Sequence, residues 1–203
     1  MATKLGIYND ALLALGAERL ASLTEAATAR YALDDAYAGT LSFCLEQGLW
    51  NFAMRTVALS SSPSIVPSFG YRYAVEKPDD WVRTYGISAD ENFTTPLLRY
   101  QDENGLWYAN VDPLYARYVS SDTAWGGDLS LWPETYADYV ARRLATRIHK
   151  RVTGGDPTEE FKHEVKRALA SARSKDAMNE PPAFPPMGSW ALSRGGSSNY
   201  HGR

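Results

Sequence analysis

The chain has 203 residues, 44% hydrophobic and 22% charged, which provides for a packed core and excludes global disorder. Its net charge of -3 is unevenly spread: residues 1–140 hold 9 Lys+Arg against 18 Asp+Glu, and residues 141–203 hold 12 against 6. That polarity points to head-to-tail or partner contacts and away from nucleic-acid binding over the whole surface.

The first helix is expected from Thr3 to Leu15, with Leu5, Tyr8, Leu12 and Leu15 on one face and Gly16 as its stop. A longer helix follows from Glu25 to Gln47, capped by Thr24 and ended by Gly48. Its inner stripe is Leu33, Tyr37, Leu41 and Leu45. Cys44, the single cysteine, falls inside this pattern. It excludes an internal disulfide and reads as a small buried apolar group.

From Arg55 the pattern changes to short β-type runs. Strands are expected at Arg55–Leu59, Tyr71–Val75, Val82–Ile87, Pro96–Tyr100, Leu106–Asn110 and Leu114–Val119. Asp102-Glu103-Asn104-Gly105 is a hairpin turn, because Asn and Gly tolerate positive φ. Several short strands in succession imply a small sandwich or barrel. Helix returns at Pro133, with Tyr136, Val140, Leu144 and Ile148 inward, and stops at Gly154-Gly155. Asp156-Pro157-Thr158-Glu159 then opens a fourth helix, with Asp156 as its cap.

After about Asn179 the prolines and glycines of EPPAFPPMGSWALSRGGSSNYHGR support no packed element of their own, yet Phe184, Trp190 and Tyr200 are interleaved as candidate anchors. The fold class is thus α+β: a helical bundle from 1–50 and 130–178, a small antiparallel β domain inserted over 51–129, and an extended tail over 179–203.

Chemistry is sparse. His149, His163 and His201 have no metal-ligand spacing, and no nucleotide or nucleophile-elbow motif is present, so neither a cofactor nor an enzyme is expected. Asp79 and Asp80 could pose as a glycosidase pair, but adjacent residues on an extended chain point in opposite directions. Tyr71, Tyr73, Trp81, Tyr85, Trp107 and Tyr108 offer a stacking platform for carbohydrate or bases, the alternative reading, although aromatics also fill small β cores. Arg143, Arg147 and Arg151 form a basic stripe at four-residue steps, open to phosphate, an acidic partner or solvent.

Five stretches in order, YNDALLALGAERLASL, LWNFAMRTVAL, YRYAVEKPDDWVRTYGI, ARYVSSDTAWGG and LWPETYADYVARRLATRI, resemble the tail tubular protein A family, the head-to-tail adaptors of short-tailed phages. The matching positions include Trp50, Phe52, Ala53, Arg55, Tyr71, Tyr73, Pro78, Asp80 and Arg83. Lys77 departs from the pattern, where an apolar residue is expected before the proline. The resemblance implies a dodecameric ring beneath the portal protein, joined to the next tail component (nozzle or tail tube protein) and leaving a channel for genomic DNA. The location it implies is the virion head–tail junction, with the host cytoplasm before assembly. No targeting segment or apolar run of membrane-spanning length contradicts this, and no membrane partner is expected.

Overall fold

The computed structural model describes residues 1–179 as four helices and two three-stranded antiparallel sheets. The helices are α1 (Lys4–Ala14), α2 (Thr28–Glu46), α3 (Glu134–Thr153) and α4 (Glu159–Ala177). The strands are β1 (Met54–Leu59), β2 (Tyr73–Glu76), β3 (Trp81–Ser88), β4 (Gln101–Glu103), β5 (Leu106–Ala109) and β6 (Leu114–Ser120). The α+β architecture expected from sequence is the one observed.

Local chemistry fixes the helix ends. Thr3 caps α1 by accepting from the Gly6 N–H at 3.1 Å. The other end closes through Gly16, whose φ of 65° lets Gly16 and Ala17 donate back to the carbonyls of Leu13 and Leu12. α2 starts three residues later than expected, and Thr24 is not its cap. The carboxylate of Glu25 is turned back to accept from the Ala21 N–H at 2.7 Å, and its carbonyl accepts from Arg30 Nε, so Glu25 closes the preceding loop instead of opening the helix. The cap of α4 also differs. Thr158, not Asp156, accepts from the Phe161 N–H at 3.2 Å, because Pro157 lies before the helix and not at its first position.

α3 is the central helix, lying against α1, α2 and α4. Its expected inward residues Tyr136, Val140, Leu144 and Ile148 are all buried, and Ala137, Tyr139, Ala141 and Ala145 widen the stripe. They join Ile7, Tyr8, Leu12, Leu33, Leu45 and Trp50 in the larger core.

The first sheet has the order β1–β6–β3 and the second β2–β5–β4. Val75, Trp107 and Ala109 of the second sheet meet Ile87, Leu114, Ala116 and Tyr118 of the first in a smaller core, which makes a sandwich. On the opposite face of β6, Val119 belongs to the larger core, as do the partly buried Met54 and Val82. The first sheet is therefore covered by strands on one side, while on the other only its end at Met54, Val119 and Val82 meets the helices and Thr56 and Ala58 stay exposed. The β4–β5 hairpin turns at Asn104 (φ 49°) and Gly105 (φ 75°), as their residue types predict.

One expected strand is absent. Pro96–Tyr100 makes a single bridge, Ser88 to Pro96, plus the Leu97 N–H to the Ile87 carbonyl at 2.7 Å. The preceding loop is wound around the Asp90 carboxylate, which accepts from the N–H groups of Asn92, Thr94 and Thr95 and from the hydroxyls of Ser88 and Thr95. The chain leaves that knot at an angle that exposes Leu98 almost fully, and the ladder resumes at Gln101.

Candidate interaction surfaces

Four of the five quoted stretches contribute residues to the seam between helices and sheets. Trp50 is 1% exposed; its indole N–H donates to the carbonyls of Cys44 and Leu45 at 3.1 Å each, and the Tyr136 ring lies edge-on at 4.7 Å. Phe52 packs on Tyr136 and Trp132, and Trp132 donates to the Gly126 carbonyl at 2.9 Å. Ala53 is fully buried beside them. Cys44 is buried too, and burial pushes its thiol up to about 12, which removes it from thiolate chemistry at neutral pH.

The sheet side of the seam is organised by Asp80. Its carboxylate pairs with Arg55 at 2.8 Å and accepts the hydroxyls of Tyr118 and Ser120, while its carbonyl accepts the Ser121 N–H at 2.8 Å. Burial opposes the charged form, but the bonds from Ser120, Arg55 and Tyr118 prevail and hold the carboxyl below its usual range. Arg83, three residues along the chain from Asp80, turns elsewhere. β3 carries Arg83 toward α2, where Nη1 donates to the Glu46 carbonyl at 3.2 Å, and Arg173 of α4 donates Nε to the Gln47 carbonyl at 2.9 Å. Two cations thus sit at the negative end of the α2 dipole. They line an open cleft of about 440 Å³ with Gly48, Trp50 and Asp176. Asp176 in turn accepts the Asn51 N–H through both carboxylate oxygens at 3.1 Å, tying the end of α4 to the strand side.

Asp79 is exposed, and with Asp80 locked in the seam the two carboxylates do not converge. Pro78 closes the turn between β2 and β3, its carbonyl accepting the Trp81 N–H at 2.9 Å. Lys77, the off-pattern residue, has a side chain only 7% exposed; its ammonium lies 3.5 Å from the centre of the Trp81 ring and 2.5 Å from Asp102. The cation fills an apolar position by riding on an aromatic face. Its mismatch with the sequence pattern was the signal available.

The aromatic residues of the stacking alternative do not share one face. Trp107 is wholly buried and Trp81 carries Lys77. Tyr71 edges onto Phe69, and Tyr73 pairs across the sheet with Ala109. Tyr108 packs on Phe69, while Tyr85 is exposed on the other sheet beside Arg117.

The basic stripe of α3 runs along α2 in antiparallel register. Arg143 stacks on the Phe43 ring at 4.3 Å, Arg147 lies across Gly39, and Arg151 bonds Asp35 at 2.8 Å. Arg147 and Arg151 remain exposed on their outer sides. A methyl at Gly39 would come within 2.8 Å of Arg147 Nη1, the free end of a flexible side chain that can move aside. Gly39→Ala is therefore expected to raise stability by about 0.5–1 kcal/mol, the ordinary gain of removing a mid-helix glycine. Urea denaturation of the variant would read this as a higher midpoint at unchanged slope.

Phe184, Trp190 and Tyr200 lie outside the described residues. Among the described residues, no group of three or more His, Cys, Asp or Glu side chains is placed to hold a metal ion, and no helix is long and apolar enough to cross a membrane. No protein-family model and no curated protein matches the chain.

Proposed function

We propose that the protein is a virion structural protein, a head-to-tail adaptor whose copies form a ring between portal and tail around a channel for the genome. One observation carries the reading. Four of the five stretches that resemble the adaptor family meet at a single seam: Trp50 and Phe52, Asp80, Tyr118 with Ser120, and Trp132 with Tyr136. A subunit that must hold a helical body and a projecting sheet domain at a fixed angle needs such a joint. Trp50, Phe52, Arg55 and Asp80, matching positions of the resemblance, are engaged in it and line no catalytic pocket.

In this reading the helices form the ring body, the sheets project toward the next tail component, and residues 180–203 embrace the portal or an adjacent subunit through Phe184, Trp190 and Tyr200. The unequal charge of the two parts suits a contact in which different surfaces of successive copies meet. Deletion of residues 180–203 is expected to leave the unfolding transition unchanged and to weaken docking onto purified portal by roughly tenfold or more, as loss of aromatic anchors does. Sedimentation of the mixture measures it. Equal docking by the truncated and full chains would remove the tail from the interface.

A further inference from the structure

Two sheets present four edge strands, and three of them are short, partly paired or kinked. β4 is only three residues long and carries Asp102 and Glu103. β2 is met by Ser62, whose N–H donates to the Ala74 carbonyl at 2.8 Å. β3 is met at its end by the segment that bridges Ser88 to Pro96 and Ile87 to Leu97, and over the rest of its length it is kinked by irregularities at Trp81/Arg83 and Thr84/Gly86. β1 is neither short, kinked nor partly paired, and its one charge, Arg55, is tied to Asp80. It is six residues long, free of proline, and among the described residues no backbone group pairs with it on the side away from β6. Unpaired edges of this kind are templates for another strand, and proteins ordinarily blunt them.

The two faces of β1 differ in a way that selects an occupant. Val57 and Leu59 are partly buried against the smaller core, and on the opposite face Thr56 and Ala58 are small and exposed. One segment of the chain has the complementary alternation. Between Pro186 and Gly195 the sequence reads MGSWALSR: Trp190 and Leu192 fall on one side of an extended chain, Ser189, Ala191 and Ser193 on the other.

We propose that residues 188–194 of a neighbouring copy add to the free edge of β1 as a fourth strand, with Trp190 and Leu192 over Val57 and Leu59. The exit point of the chain favours a neighbour as the source. The end of α4 is bonded to Asn51, three residues before β1 begins, so a segment laid directly along its own β1 runs parallel to it. Parallel pairing is the less stable kind and would break an otherwise antiparallel sheet. A neighbouring copy is free to meet the edge in the antiparallel sense. A proline-rich linker of eight residues, the length of 180–187, can span roughly 25 Å at about 3.1 Å per residue, and β1 spans about 20 Å at about 3.3 Å per residue. Only the source of the strand rests on the ring reading.

Amide hydrogen exchange of the full-length protein tests the proposal. The Ala191→Pro chain, which lacks the N–H a ladder requires, alters no residue of either core and leaves the edge vacant. A peptide of residues 186–197 added to it is expected to slow exchange of alternate amides in 54–59 by about tenfold or more while those of β6 are unchanged, and the same peptide with proline at 191 to do nothing. No protection of β1 at millimolar peptide overturns strand addition. In the unsubstituted protein, β1 protection is expected to rise with protein concentration; protection that does not rise overturns the assignment to a neighbouring copy. Neither arm contains portal protein, so a failure here is separable from a failure of portal docking.

Discussion

Trp50→Ala is expected to lower stability by about 3–5 kcal/mol, the range for emptying a well-packed aromatic site. The site cannot collapse around the loss. Trp50 is 1% exposed, its indole N–H serves the carbonyls of both Cys44 and Leu45, and its ring lies against Tyr136 on one side and the bare backbone of Gly48 on the other. Gly48 is part of the same device: a methyl there would sit 2.7 Å from the indole. Trp50→Phe keeps most of the ring and loses the N–H, so its cost should be nearer about 1–2 kcal/mol. Urea denaturation of the three proteins reads the order directly. Equal midpoints for the alanine and phenylalanine variants would mean that the ring contributes little.

Asp80→Asn is expected to cost about 2–4 kcal/mol, because it leaves Arg55 without its counter-charge and turns an amide N–H₂ toward hydroxyls that had been donating. The carboxylate side chain is 15% exposed and that of Arg55 33%, so solvent only partly screens the pair. The pH dependence has a definite sign. With its folded-state pKa depressed, Asp80 contributes stability that is fully present above the unfolded value near about 4 and is lost as pH falls through the folded value. The unsubstituted protein should therefore lose stability more steeply than Asp80→Asn below about pH 4. Parallel acid-limb slopes in thermal melts would show that Asp80 is not the group titrating.

Much of this architecture is readable from local pattern. The inward residues of α3 follow from 3.6-residue spacing, and the β4–β5 hairpin follows from the tolerance of Asn104 and Gly105 for positive φ. The strand expected at Pro96–Tyr100 and absent from the fold has a local apolar pattern too, but the Asp90 knot upstream redirects the chain, and side-chain-to-backbone bonding of that kind has no periodicity to detect. The seam was legible only as a set of residues. That Asp80 takes Arg55 and not the nearer Arg83 depends on which strand lies beside which, and Asn51 finds Asp176 across 125 positions. Arg143, Arg147 and Arg151 were visible as a stripe; that Phe43, Gly39 and Asp35 receive them required the antiparallel packing of α2 on α3.

That pairing keys the two helices like the teeth of a ratchet. A slip of one turn, about 5.4 Å, would bring Arg147 onto Phe43 and Arg151 onto Gly39, leaving Asp35 opposite no arginine. A bundle made only of leucines and alanines has near-equivalent registers one turn apart. Here the Arg143–Phe43 stack and the Arg151–Asp35 ion pair align together in one axial setting, with Arg147 laid over Gly39 between them. The polar edge of the helix pair thus acts as a ruler that marks the axial setting of α3 on α2.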